Sequence, residues 1–304
     1  MIGRFAPSPT GDLHLGNLRT AAVAWLSARA AGGGFIVRVE DLDRAQASVE
    51  QERSQLADLA AIGLDWDGAV VRQSDRFDLY ERALDQLQSE DLVYECFCSR
   101  REIREEIKAS PRAPHGFQGS YPGTCRDLSE DEKAARRSVG RPAALRLRTD
   151  GRRIAFIDKL VGEMDGYVDD VVLRRNDGVP AYNLAVVVDD AEQGITEVVR
   201  GDDLLPSTPR QILLQELLGL PSVDYLHVPL VVDAGGERLA KRQDNPITLR
   251  DLRSAEVPTA AVVSWIGVSL GLALPGERFE LDTLVDRFDP VLVPPDPCPI
   301  PTFS

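Results

Sequence analysis

Residues 4–17 read Arg4-Phe5-Ala6-Pro7-Ser8-Pro9-Thr10-Gly11-Asp12-Leu13-His14-Leu15-Gly16-Asn17. Residues 3–6 read as a short strand that breaks at the turn cluster 7–11. An alanine-rich helix is expected over 18–30, stopped by Gly32-Gly33-Gly34. A strand feeding a proline-braced turn onto a helix start makes an anion site, because the first turn presents unpaired N–H groups at the positive end of the helix dipole. Gly16 lets a ligand approach the backbone, and His14 can donate a hydrogen bond to phosphate oxygens. His-x-Gly alone would favour a plain β–α turn with an exposed histidine. The whole block beside a helix start favours the anion site.

The flanking sequence extends this pattern. Residues 35–39 read as a strand, 49–62 as a helix with Leu56, Leu59 and Ile62 on one face, and 75–89 as a further helix. Strand and helix in alternation imply a doubly wound parallel sheet, so the fold class expected is α/β of Rossmann type. From 92 onward Pro111, Pro114, Gly116, Gly119, Pro122 and Gly123 read as an inserted, loop-rich module, with short strands following at 144–148 and 154–157. The α/β pattern then resumes: strands at 171–173 and 197–200, helices near 182–188 and at 207–218. An apolar strand at 226–232 and helices at 249–252 and 259–270 complete it. The division expected is 1–91 and 171–222 for the two halves of the nucleotide-binding domain, 92–170 for the insertion and 223–294 for a loop and helical segment. The tail, 295–304, is expected to be irregular, since 294–301 holds five prolines.

Composition narrows the function classes. The 304 residues are 43% apolar but only 6% aromatic, enough for a large aliphatic core. No apolar run approaches the roughly 18 residues a membrane helix needs. The N-terminus lacks a basic-then-apolar leader, so the cytoplasm is expected, and four cysteines do not make a disulfide scaffold. A net charge of −14 argues against non-specific coating of nucleic acid. A local basic face could still hold phosphate, since charges are screened beyond ~8–10 Å. Arg100, Arg101, Arg104, Arg136, Arg137, Arg141, Arg146, Arg148, Arg152 and Arg153 could form such a face. They could equally be solvated arginines paired with Glu102, Glu105, Glu106 and Glu130.

Cys96-Phe97-Cys98 and Cys125 offer three thiolates, a donor set suited to Zn²⁺. His115 is the generic candidate for the fourth ligand; three buried free cysteines are the alternative. The role expected for such a metal is structural.

Taken in order, the opening block, His14-Leu15-Gly16, Arg38-Val39-Glu40-Asp41-Leu42-Asp43, Pro180-Ala181-Tyr182-Asn183, Val187-Val188-Asp189-Asp190, Val199-Arg200-Gly201-Asp202-Asp203-Leu204 and Leu239-Ala240-Lys241-Arg242 resemble the glutamyl-tRNA synthetases over roughly residues 1–250. These are class I enzymes, and an ordered string is far more specific than one motif. The first signature, HIGH in the family, has Asn17 in its last place. The second, KMSKS, reads Arg238-Leu239-Ala240-Lys241-Arg242, keeping its second lysine as Lys241. The resemblance implies His14, Gly16, Asn17 and Lys241 as catalytic residues. Of these, His14, Gly16 and Lys241 contact ATP, which is used with Mg²⁺.

Glutamate has two carboxylates and one ammonium, so a pocket for it wants two guanidinium groups and one buried acid. Arg4, Arg200 and Glu40 suit those roles, with hydroxyls from Ser8 and Tyr182 and the backbone of Ala6; the family's glutamate positions imply the same six. The spacing Cys-x-Cys…Tyr-x-x-x-Cys is similar to a zinc site in one branch of the family, which implies Cys96, Cys98, Tyr121 and Cys125 as its ligands. That branch lacks the long anticodon-reading domain, for which the stretch after Lys241 is expected to leave no room. Its members pass glutamate to queuosine in the anticodon of tRNA(Asp). A monomer with ATP, L-glutamate and that tRNA as partners is therefore expected. The rivals are a trimmed enzyme charging tRNA(Glu) and an inactive paralogue that serves as a binding module.

Overall fold

The computed structural model describes residues 1–109, 121–233, 236 and 247–303. The chain starts as β1 (Ile2–Phe5), α1 (Leu15–Ala30), β2 (Gly34–Val39), α2 (Val49–Ala61), β3 (Val71–Arg72) and α3 (Phe77–Ser89). The next stretch holds β4 (Val93–Cys96), α4 (Arg100–Ala109), α5 (Glu130–Ser138), β5 (Ala144–Leu147), β6 (Arg153–Asp158), β7 (Gly162–Tyr167) and β8 (Val172–Arg174). The remainder is α6 (Tyr182–Glu192), β9 (Glu197–Gly201), α7 (Thr208–Leu218), β10 (Asp224–Val228), β11 (Val231–Val232), α8 (Leu249–Ser254), α9 (Thr259–Ser269) and β12 (Cys298–Pro299).

The parallel strands run β3-β2-β1 on one side and β9-β10 on the other. β9 lies beside β1: the Thr196 amide donates to the Ile2 carbonyl at 2.9 Å, and Arg4 reaches the Val199 carbonyl. The chain therefore winds outward in both directions from the β1/β9 seam. In open α/β sheets the crevice at the carboxyl ends of such a seam binds ligands. The mixed α/β class expected from the alternating pattern is the class observed. α1 is buried nearly all round, with Leu15, Leu18, Ala21, Val23, Leu26 and Ala28 each at most 1% exposed. Small alanines let it lie close against β1 and β9 while α9 covers its other side. β4, β5 and β8 make a separate antiparallel sheet, and the β6–β7 hairpin joins β10 through the pair Tyr225↔Asp158.

Several expectations need correction. α1 begins at Leu15, earlier than 18, because His14 caps it. The stretch read as loop-rich carries two helices, α4 and α5, the second with a Ser129–Glu132 capping box. β7 has two glycines and two acidic residues, so composition hides it; the hairpin turn is closed by Asp158, which accepts the amides of Leu160 and Val161. The strand expected at 226–232 splits at Pro229, which has no N–H to donate. The described tail is irregular as expected, except that Cys298–Pro299 pair as a strand. Cys298 and Ile300 donate to the Leu230 and Val232 carbonyls at 2.9 and 2.8 Å, and the intervening Pro299 occupies the alternate position, where no donor is needed.

Candidate functional site

The turn after β1 is braced from outside. The Gln55 side chain on α2 donates to the Ser8 and Gly11 carbonyls, the Glu40 amide to Pro7, and the Ser48 amide to Pro9. So held, the turn forms one wall of a cavity of about 450 Å³ at the seam between β1 and β9. Arg4, Ala6, Ser8, Glu40, Tyr182 and Arg200 all line it, as do His14, Gly16 and Asn17. Nine of the ten residues named for amino acid and nucleotide thus share one space; the tenth, Lys241, lies outside the described residues with Arg238 and Arg242.

Charge in the cavity wall is unevenly compensated. Arg4 places Nε 3.1 Å and Nη2 3.4 Å from the two oxygens of Asp190. The fully buried Arg38 donates to the same carboxylate at 2.8 Å and lies 3.4 Å from Glu40. Burial opposes the charge of Asp190, but Arg4 and Arg38 outweigh it and hold its carboxyl below the usual range. Glu40 fares differently. Burial pushes its carboxyl up to about 7 against the pull of Arg38 and Arg4. The residue preceding Asp190 on α6, Asp189, is closed to ligands: it accepts from Gln73, Arg76 and Tyr80 at 2.7–2.8 Å.

Arg200 is 5% exposed and makes hydrogen bonds to neutral groups only: His227 Nε2 at 3.0 Å, Gln211 Oε1 at 2.7 Å, Thr208 Oγ1 at 2.8 Å and the Leu204 carbonyl at 3.4 Å. Its charge faces the cavity with no carboxylate bound to it among the described residues.

At the other end of the cavity His14 is the N-cap of α1. Its Nδ1 accepts the Asn17 amide and Asn17 Oδ1 accepts the His14 amide, both at 3.3 Å. An accepting Nδ1 leaves Nε2 as the protonated nitrogen, a donor. Gly16 earns its place by crowding: a Cβ there would lie 3.0 Å from the His14 ring. Both segments flanking residues 234–246 converge here. Val231 lies against Gly16, while Ile247 accepts the Leu15 amide and Thr248 bridges to His14.

Cys96, Cys98 and Cys125 place their Sγ atoms within 4.8 Å of one another. The Tyr121 hydroxyl is 3.3 Å from Cys96 Sγ and 3.8 Å from Cys98 Sγ. A tetrahedral ion with Zn–S near 2.3 Å wants ligand atoms about 3.8 Å apart, so these four donors fit one. Arg146 packs over the Tyr121 ring at 3.8 Å and orients it. His115 lies outside the described residues. A second cavity, of about 900 Å³, lies between this cluster and the first, sharing Ser8, Glu40 and Tyr182 with it and reaching Cys98 and Arg100.

Five of the ten basic residues named from the sequence are in surface ion pairs. Arg101, Arg137, Arg141, Arg152 and Arg153 pair with Glu105, Glu95, Glu102, Glu216 and Asp165. Sequence reading missed Arg38, Asp158 and His227. His227 carried one signal, being one of only three histidines.

A family model described as the catalytic domain of class I tRNA synthetases (E and Q) matches residues 1–279. The chain belongs to this family. This synthetase is 57% identical over 97% of its length to a protein of Nocardia farcinica named glutamyl-Q tRNA(Asp) synthetase, covering 91% of that protein. A protein of the same name from Symbiobacterium thermophilum is 44% identical, with 99% of this chain and 96% of that one covered. The crystal structure of a glutamate-tRNA synthetase from Elizabethkingia anophelis superposes with a TM-score of 0.81 at 28% identity, over 99% of this chain and 68% of that one. No described helix of the synthetase is long and apolar enough to cross a membrane.

Proposed function

We propose that the protein activates L-glutamate with ATP and transfers it to queuosine in the anticodon of tRNA(Asp). One observation carries the amino-acid half: Arg4, Glu40, Arg200 and Tyr182 line a single cavity with the His14-capped start of α1. The acceptor rests on the resemblance of the sequence to the truncated branch of the family and on the names of the two relatives.

The two guanidinium groups receive the carboxylates and Glu40 the ammonium, with Ser8, Tyr182 and the Ala6 backbone closing the pocket. Arg4 shares its charge with Asp190, whereas Arg200 has no carboxylate partner among the described residues. ATP enters as its Mg²⁺ complex with its phosphates at the start of α1, beside Gly16 and Asn17. The glutamate α-carboxylate attacks the α-phosphorus in line, and the P–O bond to pyrophosphate breaks. His14 Nε2–H and Lys241 stabilise charge growing on the leaving oxygens. A hydroxyl of the acceptor nucleoside, seated in the larger cavity, then takes the glutamyl group from the adenylate and releases AMP.

The group Cys96, Cys98, Cys125 and Tyr121 would hold Zn²⁺, which supplies structural cross-linking and no chemistry here. It would fix the sheet β4-β5-β8 and the start of α4, and so the far wall of the acceptor cavity. This supports reading 92–170 as the acceptor-facing insertion between the halves 1–91 and 171–222, ahead of 223–294 and the tail 295–304.

Pyrophosphate exchange tests the reading. Purified protein with Mg²⁺ and ATP is expected to exchange label only when L-glutamate is present, and Lys241→Ala to abolish it. Queuosine-bearing tRNA(Asp) is expected to accept glutamate while tRNA(Glu) does not. Absence of glutamate-dependent exchange would overturn the activity; charging of tRNA(Glu) alone would overturn the acceptor.

A further inference from the structure

Behind Arg200 lies a buried chain of polar groups that no step above uses. Asp158, at the end of β6, is 1% exposed and His227, on β10, is fully buried. Neither lines the cavity. Asp158 Oδ1 accepts the amides of Leu160 and Val161 at 3.0 and 2.9 Å. Its Oδ2 lies 2.7 Å from His227 Nδ1 and 3.1 Å from the His227 amide. On the other side of the ring, His227 Nε2 is 3.0 Å from Arg200 Nε.

That last contact decides the tautomer. An arginine Nε–H is a donor in every state, so His227 Nε2 must be the acceptor and the ring proton must sit on Nδ1, facing Asp158. Burial, more than the charge of Arg200, keeps His227 below its ordinary value and so neutral, against the pull of Asp158. Tyr225 stacks on the ring with centroids 6.0 Å apart, and the Arg200 guanidinium lies 5.5 Å from the Tyr225 centroid. Thr208 Oγ1 accepts from Arg200 and lies 3.2 Å from His227 Nε2. The guanidinium is thereby gripped along its Nε edge by a ring that cannot turn.

We infer that His227 and Asp158 are positioning residues for the amino-acid site: Asp158 holds the His227 tautomer, and His227 Nε2 sets the plane of Arg200 on the cavity wall. The inference rests on the reading that Arg200 binds the amino acid. An arginine held only by neutral partners at a cavity wall can rotate out of register with a planar carboxylate. A fixed acceptor at Nε prevents that.

The test uses the full chain in glutamate-dependent pyrophosphate exchange, with KM for glutamate and for ATP measured separately and melting followed for each variant. Arg200→Gln tests the underlying reading. His227→Asn keeps an amide toward Asp158 but removes the acceptor at Arg200. His227→Gln restores an acceptor near the Nε2 position. Asp158→Asn retains shape and the contacts to Leu160 and Val161, but offers an N–H to Nδ1 and drives the ring proton onto Nε2, against Arg200.

His227→Asn and Asp158→Asn are expected to raise KM for glutamate by roughly tenfold to a hundredfold, the range for a hydrogen bond to a charged group. KM for ATP is expected to hold, and His227→Gln to recover much of the loss. If Arg200→Gln raises KM for glutamate while the His227 and Asp158 variants leave it unchanged, the positioning role is overturned and the glutamate pocket stands. An unchanged KM in Arg200→Gln overturns the reading of Arg200 itself and the inference with it. Equal rises in both KM values, or variants none of which melts as a folded protein, mark the group as general scaffold and also overturn the inference.

Discussion

Glu40 sits near its own titration point at neutral pH. Burial raises its carboxyl from 4.5 to about 7, and an ammonium ligand needs it ionised. In glutamate-dependent exchange, KM for glutamate is expected to rise as pH falls through about 7, and Glu40→Gln to show a high KM without that slope. A wild-type KM flat across this interval would remove Glu40 from the ammonium site. The same group bears on stability. Between 4.5 and about 7 the folded state holds more protons at Glu40 than the unfolded one, so its contribution to stability falls as pH rises across that window. Arg4, Glu40 and Arg200 were legible in the sequence because the ligand's own charges specify their types. Arg38, Asp158 and His227 were not, since each touches other side chains of the protein and none is required by the substrate's formula.

α1 does two jobs at its first turn, and His14 serves both. As N-cap it satisfies the Asn17 amide; as an Nε2–H donor it faces the cavity. Substitution can separate the two. His14→Ala is expected to cost about 1 kcal/mol of stability with the lost cap and to abolish exchange. His14→Asn is expected to keep the cap and the melting temperature yet lose exchange on the order of a hundredfold, as for a removed transition-state donor. Wild-type exchange in His14→Asn would leave the ring with a capping role alone. The second element with a local task is the Cys96–Cys125 cluster. Metal analysis of the purified protein is expected to find one Zn²⁺ per chain, and Cys125→Ser to lose it with weakened charging but residual exchange. A wild-type protein without zinc would sink the assignment. Its three cysteines stand out in the sequence by their spacing, while Tyr121 comes from the family resemblance alone. The helices α4 and α5 around them do not stand out, because turn-forming residues between charged segments dominate the composition there.

The whole molecule is organised around the β1/β9 seam. Residues near 4, 40, 182 and 200, spread over most of the catalytic fold, meet there because the chain reverses its winding direction at that point. The tail contributes from a distance: β12 pairs with β11, and β11 leads into residues 234–246, which carry Lys241. Deleting residues 297–303 is expected to lower the melting temperature by several degrees and to raise KM for ATP, since Val231 loses both its strand partner and its cover from Cys298. Unchanged values for both would show that the tail is dispensable. Motif order, strand–helix alternation and the charges a glutamate pocket needs are all readable along the chain, because each depends on residue type and local spacing. Which acid is held hard to ionise, which arginine is gripped by neutral groups, and how a proline-rich end becomes an edge strand all depend on groups far apart in sequence. Burial and pairing between those groups set their charge states, and neither exists until the chain has folded.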